Sequence, residues 1–162
     1  MNILALDCAT RTGWATLING QVESGVQDFT KKRGESNGML YVRFNAWLEE
    51  MGSIALTDIY TGENVLGVFF DLIIYEQAHM RGGYATELLH GLQTRVQEFA
   101  VKIGAEYTTI HTGTLKKYIT GKGNASKKDM CDWFLEKMRR KPIDDNEADA
   151  MALLMYAKTE LG

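Results

Sequence analysis

The first 30 positions alternate between apolar runs and polar breaks in a way that is typical of β-strands joined by tight turns. The run Asn2–Leu6 is apolar after its first residue and ends at Asp7, which predicts a short strand buried on both faces. A second strand is predicted over Trp14–Ile18 and a third over Gln21–Phe29. The dipeptide Asn19-Gly20 between them is a strong signal for a two-residue hairpin. The chain is therefore predicted to open with three antiparallel strands.

The middle of the chain predicts a helix followed by a returning strand. The helix covers Asn37–Met51, where apolar residues recur at helical spacing. Its inward stripe is predicted to comprise Met39, Val42, Phe44, Trp47, Leu48 and Met51. The next buried strand, Asp71–Tyr75, ends at a second acid, Glu76. A helical crossover places this strand parallel to the first, so Asp7 and Glu76 are expected at one edge of the sheet, where open α/β sheets carry their sites. Residues 52–67 predict no definite element.

The second half of the chain predicts helices and one further strand, in the run Glu106–His111 around its β-rich centre Tyr107–Ile110. One helix is predicted to end at Ile103, before the cap Gly104. A short helix is predicted over Thr114–Ile119, and a longer one from the capping-box residue Ser126 to about Arg139. The last helix is predicted to run from Asp144 or Asp145 to about Thr159. The predicted fold class is therefore α/β, with a mixed five-stranded sheet in which three antiparallel strands precede the parallel ones. Helices flank the sheet, and residues 1–162 are expected to form a single domain.

Composition narrows the class of protein. The 162 residues are 45% hydrophobic and 24% charged, which is ordinary for a globular protein. The apolar runs are too short for a membrane span, and the N-terminus lacks the features of a signal peptide. Cys8 and Cys131 are isolated cysteines without metal-site spacing. We therefore expect a cytoplasmic protein without a membrane partner or a structural zinc site.

The distribution of charge is more informative than the net charge of −3. Five lysines lie in one segment without an acid, namely Lys116, Lys117, Lys122, Lys127 and Lys128. Four acids follow soon afterwards, namely Asp144, Asp145, Glu147 and Asp149. A basic surface beside an acidic cluster is expected of a metal-dependent enzyme that acts on a polyanion. Taken singly, each run is more commonly a solvated face.

The last acid lies where the final helix turns apolar. Asp149 follows Asn146 by three residues and Asp145 by four, so either pair presents two oxygen ligands on one face of the helix. Asp145 and Glu147 also suit a helix N-terminus through the helix dipole. Oxygen donors favour Mg²⁺ or Mn²⁺. Two such ions, roughly 3.5–4 Å apart, can activate water and stabilise the leaving oxygen in phosphodiester cleavage.

Four segments form an ordered pattern over nearly the whole chain. They are Ile3-Leu4-Ala5-Leu6-Asp7 with Thr12-Gly13-Trp14-Ala15; Tyr75-Glu76-Gln77; the series Lys116, Gly121, Gly123 and Lys127; and Asn146-Glu147-Ala148-Asp149-Ala150-Met151-Ala152. Together with the order of strands and helices, they resemble the ribonuclease H-like fold and, within it, the RuvC Holliday junction resolvases, particularly their small phage-type relatives.

The resemblance implies a site and a function. Asp7, Glu76 and Asp149 would bind two Mg²⁺ ions, which Mn²⁺ could replace, and Lys116 and Lys127 would contact phosphates near the scissile bond. The protein would act as a homodimer that cuts a four-way DNA junction symmetrically. The residues predicted to bind DNA are Arg81, Lys116, Lys117, Lys122, Lys127 and Lys128.

Two positions depart from the family pattern. The family has an Asp or His as a fourth ligand three residues before its last acid, where this chain has the neutral Asn146. Asp145 is the alternative fourth ligand. The family's bacterial members have an aromatic residue soon after Glu-Gln, where this chain has His79, so a preferred cutting sequence is not predicted.

Three alternatives remain open. The first is another nuclease of the same fold, such as an exonuclease, a flap nuclease or an RNA-processing nuclease of the YqgF type; Tyr75-Glu76-Gln77 and Lys116–Lys127 favour the resolvase. The second is an ATPase of the sugar kinase or actin type, which requires two such domains around its nucleotide, so no nucleotide cofactor is expected. The third is a module that binds branched DNA without cutting it.

Overall fold

A mixed sheet of five strands forms the centre of the fold. The computed structural model describes residues 1–52, 55–57, 64–66, 70–77 and 82–162; for 55–57 and 64–66 it describes the backbone alone. In chain order its elements are β1 (Ile3–Asp7), β2 (Arg11–Ile18), β3 (Gln21–Asp28), α1 (Asn37–Gly52), β4 (Ala55–Thr57), β5 (Asn64–Leu66), β6 (Leu72–Glu76), α2 (Tyr84–Ile103), β7 (Glu106–Ile110), α3 (Thr112–Thr120), α4 (Lys127–Met138) and α5 (Asp145–Glu160).

The strand order β3-β2-β1-β6-β7 confirms the predicted mixed sheet. β1 pairs antiparallel with β2, and β2 pairs antiparallel with β3. β1 pairs parallel with β6, and β6 pairs parallel with β7. Asn19 and Gly20 both have positive φ, at 51° and 83°, as a type I′ hairpin requires. The ends of β1, β3, β6 and β7 therefore lie along one edge, which we call the carboxyl edge.

Helices cover both faces of the sheet, and the alternation of side chains along β1 divides the core into two parts. Leu4 and Leu6 pack with residues of α1 and α2, whereas Ile3 and Ala5 pack with residues of α3, α4 and α5. All four side chains are fully buried. The prediction of a strand buried on both faces is thereby confirmed.

β2 is longer than predicted, because it begins at Arg11 rather than at Trp14. Its first residues pair with the end of β3, with Arg11 opposite Asp28. The polar side chain of Thr12 is fully buried, and its hydroxyl donates to the carbonyl of Ala9 over 2.7 Å. This local bond satisfies the buried hydroxyl, so a polar residue that indicates a loop in the sequence lies inside a strand.

The inward stripe predicted for α1 is partly wrong. Met39 and Val42 are 45% and 61% exposed. Leu40, which the prediction omitted, is fully buried and begins the face that continues at i+4 with Phe44 and at i+8 with Leu48. The packing against the sheet selects this narrower stripe, and Met39 and Val42 lie outside it.

The helical ends agree closely with the predicted signals. Ser126 and Asp129 form both hydrogen bonds of the capping box that opens α4, and Asp144 caps the N-terminus of α5. α3 begins at Thr112, two residues before its predicted start. Between Gly52 and Gly67, the described residues form the antiparallel pair β4–β5; the remaining residues there lie outside the described part of the chain. No helix among the described residues is both long and apolar enough to cross a bilayer.

Candidate active site

Two acids reach the carboxyl edge on adjacent parallel strands. Asp7 is the last residue of β1, and Glu76 is the last residue of β6. Leu6 lies directly opposite Tyr75 in the register, so the two acids leave their strands side by side. α5 packs on β1 and β2 and brings Asp149, in its second turn, to the same edge. The structure therefore brings together the three acids that the sequence separates by up to 142 positions.

The three carboxylates lie close enough together for their negative charges to interact. Burial raises the pKa of Asp7 well above its usual value, and the negative charges of Asp149 and Glu76 raise it further. Burial likewise raises the pKa of Asp149 to about 7, again with a contribution from Glu76. Asp145 raises the pKa of both residues, so its negative charge interacts with theirs as well. Such a cluster favours protons or cations at neutral pH.

One oxygen of the cluster has no partner in the described structure. Asp149 Oδ1 is buried and makes no hydrogen bond to any described residue. A buried carboxylate oxygen without a donor is costly, whereas a hard divalent cation binds to such oxygens readily. This observation and the oxygen-only donor set show that the residues fit Mg²⁺ by their chemistry.

The side chains as they stand are not gathered into a coordination shell. Among the described residues, no three Asp, Glu, His or Cys side chains converge closely enough to hold a metal. Two acids have other partners. Asp145 Oδ2 pairs with Lys127 Nζ over 2.5 Å, and Glu76 Oε1 accepts a short hydrogen bond from the Thr112 hydroxyl. Coordination of a cation would require these carboxylates to turn away from those partners.

Both predicted catalytic lysines lie beside the acids. Lys116, half-buried on α3, lowers the pKa of Asp149. Lys127 is the first residue of α4, and its side chain is 80% exposed. The hydrogen bond that Lys127 donates to Asp145 raises the pKa of Lys127, with smaller contributions from Asp149 and Asp7. Each lysine therefore places a positive charge at the rim of the acidic cluster.

The other residues predicted to bind DNA differ in whether their charge is paired. Lys117 and Lys122 are exposed and form no ion pair with a described residue. Lys128 is paired with Asp132 over 2.6 Å along α4, so its charge is partly neutralised. Arg81 and His79 lie outside the described residues.

Asn146 connects α5 to β2. Its Nδ2 donates to the carbonyl oxygen of Arg11 over 2.8 Å. The guanidinium of Arg11 in turn bridges Asp144, at 3.2 Å, and Asp28, at 3.0 Å. The amide of Asn146 is thus oriented by the backbone of β2, and the whole arrangement fixes the first turn of α5 against the sheet.

Sequence reasoning missed the residues that support the acids. Gln93 of α2 donates to the backbone carbonyl of Glu76 over 2.7 Å; its signal is a polar residue within a buried stripe. Glu147 is fully buried, where its carboxylate accepts from Arg140 at 2.5 Å and from the Ser24 hydroxyl at 2.7 Å. It points away from Asp145 because residues two apart lie on opposite sides of a helix, and no sequence signal identifies Arg140 or Ser24 as its partners.

A cleft of about 430 Å³ opens beside the acids. Asp7, Glu76 and Thr112 line one part of it, and Ala85 and Thr86 line another part at the start of α2. Asp7 and Glu76 are therefore accessible from the carboxyl edge, where a ligand can approach them.

The mixed sheet with helices on both faces agrees with the predicted α/β fold class, and comparisons with solved structures specify the fold further. RuvC from Thermus thermophilus matches with a TM-score of 0.68 over 98% of this chain and 96% of that chain, at 16% identity. T. thermophilus RuvC in complex with a Holliday junction substrate matches with a TM-score of 0.67 over 94% and 90%, at 15% identity. The yeast mitochondrial Holliday junction resolvase Ydc2 matches with a TM-score of 0.53 over 93% and 75%, at 12% identity.

No family model matches the sequence, and no curated protein matches it either. The likeness is therefore one of fold. This chain has the fold of RuvC and of the mitochondrial resolvase over nearly its whole length. The resemblance predicted from the sequence is confirmed at that level.

Proposed function

We propose that this protein is a metal-dependent, structure-selective endonuclease that resolves four-way DNA junctions. One observation carries the proposal: Asp7, Glu76 and Asp149 lie within reach of one another's charges at the carboxyl edge of a RuvC-type fold, where Asp149 Oδ1 lacks a partner among the described residues. An oxygen-rich acidic cluster with lysines at its rim suits phosphodiester hydrolysis.

In this proposal the acids hold the cofactor and the lysines hold the substrate. Two bound Mg²⁺ ions, or Mn²⁺ in their place, would supply an activated water and stabilise the leaving oxygen. Lys116 and Lys127 contact the phosphates next to the scissile bond and offset the charge that develops there. Gln93 holds the backbone carbonyl of Glu76 and so fixes the end of β6, while the Thr112 hydroxyl holds the Glu76 carboxylate until a cation would take its place.

The proposed enzyme is a homodimer. A four-way junction has approximate two-fold symmetry, so two copies of one site can cut two equivalent strands. One matching RuvC structure contains a Holliday junction substrate, which supports branched DNA as the substrate class proposed for this chain.

The direct test is the cleavage of a mobile four-way junction with Mg²⁺, beside linear duplex, flap, single-stranded DNA and RNA of equal length. Paired symmetric nicks in the junction alone are the expected result. Preferential cutting of flaps, single strands or RNA would overturn the resolvase proposal in favour of another ribonuclease H-like nuclease. Tight junction binding without cleavage by Mg²⁺ or Mn²⁺ would indicate a binding module.

For the fourth oxygen ligand we propose Asp145 rather than Asn146. Asp145 lies in the electrostatic field of Asp7 and Asp149, whereas the amide of Asn146 is bonded to β2. Asp145→Asn should lower the cleavage rate by roughly 100-fold and weaken Mn²⁺ binding in calorimetry. Asn146→Ala should instead cost about 1 kcal/mol of stability through its lost hydrogen bond and keep Mn²⁺ affinity within about threefold. The reverse pattern would make Asn146 the ligand.

A further inference from the structure

A second group of positively charged side chains lies at the carboxyl edge, at the end of that edge opposite to α3 and α4. It belongs to the connection between β3 and α1, residues 29–36, which we call the basic loop. Because β3 ends at the same edge as β1, this loop leaves the sheet on the side of the acids. The first residue of the loop, Phe29, donates its N–H to the carbonyl of Thr10 over 2.8 Å. Thr10 lies in the turn that follows Asp7, so the basic loop starts beside the candidate active site.

The basic loop is rigidly built. Arg43 of α1 binds Glu35 through two hydrogen bonds of 2.9 Å each. Glu35 also accepts the backbone N–H of Lys32 over 2.8 Å, and its own N–H donates to the Lys32 carbonyl over 3.1 Å. Gly34 takes the positive φ of 84° that this turn requires. The loop's one acid, Glu35, is thus neutralised by a residue outside the loop.

The cations of the loop form no ion pair with a described acid. Lys31 Nζ contacts two uncharged groups, the Asn37 Oδ1 at 2.8 Å and the Tyr84 hydroxyl at 2.5 Å, and it lies 5.2 Å from the centre of the Tyr84 ring. Lys32 and Arg33 are exposed and form no ion pair with any described residue. Lys32 and Arg33 therefore face solvent at the carboxyl edge, and the half-buried Lys31 adds a third positive charge beside them.

The strand order determines where these positive charges lie relative to Asp7 and Glu76. β3 and β7 are the two outer strands of the sheet, and both end at the carboxyl edge. The basic loop follows β3, and α3 with its lysines follows β7. Four strand spacings of about 4.8 Å separate the two, roughly 19 Å in all. Asp7 and Glu76 lie between them on β1 and β6.

We propose that the basic loop binds the sugar-phosphate backbone of a duplex arm of the DNA substrate. The inference rests on the proposed function and adds a second contact surface to it. A span of roughly 19 Å corresponds to about 11 phosphate charges along B-form DNA. A duplex that places one phosphodiester at the acids can therefore reach both the lysines of α3–α4 and the basic loop. Lysines and an arginine on a short rigid loop suit phosphate contacts, which position the DNA without reading its sequence.

The test variant is the double substitution Lys32→Ala/Arg33→Ala, whose side chains are exposed and form no hydrogen bond or ion pair with a described residue. The matched control is Lys102→Ala/Lys158→Ala, which removes the same charge. Lys102 and Lys158 lie near the C-terminal ends of α2 and α5, roughly 27 Å and 20 Å along helices that start at the carboxyl edge. Unchanged melting temperatures would verify that both variants are folded.

The measurement is the dissociation constant for a four-way junction with 15-bp arms, without divalent metal, over a range of NaCl concentrations. The loop variant should bind about tenfold more weakly at 0.1 M NaCl. Its slope of log affinity against log salt should be smaller by about 1.8, the value for two lost phosphate contacts. The control variant should stay within twofold, with its slope unchanged.

The outcomes separate the two proposals. If the wild type does not prefer the junction to linear duplex, the proposed function fails whatever the loop does. If the wild type prefers the junction and Lys116→Ala weakens binding, but the loop variant matches the wild type in affinity and slope, only the loop proposal is overturned. A loss that persists in full when the arms are single-stranded would also overturn it, since the loop would then bind unpaired strands.

Discussion

The variant Asp7→Asn is expected to lower the rate of junction cleavage by roughly 10³-fold or more while the protein still binds the junction. Asp7 lies at the centre of the acidic cluster, where its pKa is raised by burial and by Asp149, Glu76 and Asp145. Asparagine has the same shape but supplies only a neutral oxygen, so the site loses a ligand charge that the proposed metal chemistry requires. Single-turnover cleavage at saturating protein, with binding measured in Ca²⁺, separates the two effects.

The same substitution should stabilise the metal-free protein at alkaline pH. The folded state raises the pKa of Asp7 and of Asp149, the latter to about 7, so between about pH 4 and pH 7 the folded state binds more protons than the unfolded state. By linkage, the free energy of unfolding then falls as pH rises through this range. In EDTA the wild type should melt lower at pH 8 than at pH 5.5, and Asp7→Asn should melt roughly 5 °C above the wild type at pH 8.

Addition of Mg²⁺ at pH 8 should raise the melting temperature of the wild type and have little effect on Asp7→Asn. Asp71→Asn is the matched control, because Asp71 precedes β6 and lies at the opposite edge of the sheet. It should leave cleavage and the Mg²⁺ response unchanged. Cutting at the wild-type rate by Asp7→Asn would refute the site that we propose, and an equal response to Mg²⁺ in both proteins would place the cation elsewhere.

The parts of the fold that could be predicted from the sequence depend on local chemistry. The apolar run before Asp7 predicts a strand covered on both faces, and Asn19-Gly20 supports the positive φ values of its turn at little cost. Ser126 and Asp129 form the capping box that their spacing predicts. Once the crossover is assigned, chain topology alone brings Asp7 and Glu76 to the same edge.

The errors arise where distant packing overrides the local pattern. Thr12 is a polar residue after a predicted strand end, yet β2 includes it because β3 supplies a partner and Ala9 accepts its hydroxyl. Met39 and Val42 fit a helical stripe, but only the sheet beneath α1 decides which stripe is buried. Such choices depend on surfaces that a single segment does not specify.

The supporting contacts of the site were beyond prediction for the same reason. Asn146 is bonded to Arg11, which precedes it by 135 positions, and Glu147 is bonded to Ser24 at a separation of 123. The sequence identifies Glu147 only as one more acid near a helix N-terminus. Its burial against Arg140 shows that neighbouring acids on α5 have different roles. Asp145 and Asp149 face the candidate site, whereas Glu147 fixes the helix to β3.

The second large effect is expected from Gly13→Ala, at the contact between β2 and α5. Gly13 lies opposite Asp7 in the sheet. A Cβ atom on Gly13 would lie 1.9 Å from the carbonyl oxygen of Asn146 and 2.2 Å from its carbonyl carbon. The obstacle is backbone, so no side-chain rotation relieves it, and the first turn of α5 must move away from β2. We expect a loss of about 3 kcal/mol in the free energy of unfolding, measured as a fall of roughly 10 °C in melting temperature.

Such a movement would also affect catalysis, because α5 carries Asp149 and Asp145 to the acid on β1. At temperatures where Gly13→Ala remains folded, its cleavage rate should fall at least tenfold. Gly38→Ala is the control: Gly38 is exposed on α1, and the nearest atom to its added Cβ is a side-chain atom, Ser36 Oγ, at 3.3 Å. That change should leave cleavage intact and alter stability by less than about 1 kcal/mol, favourably if helix propensity dominates. A Gly13→Ala protein as stable and active as Gly38→Ala would mean that α5 does not rest on β2 at this point, and the alignment of its acids with Asp7 would need another explanation.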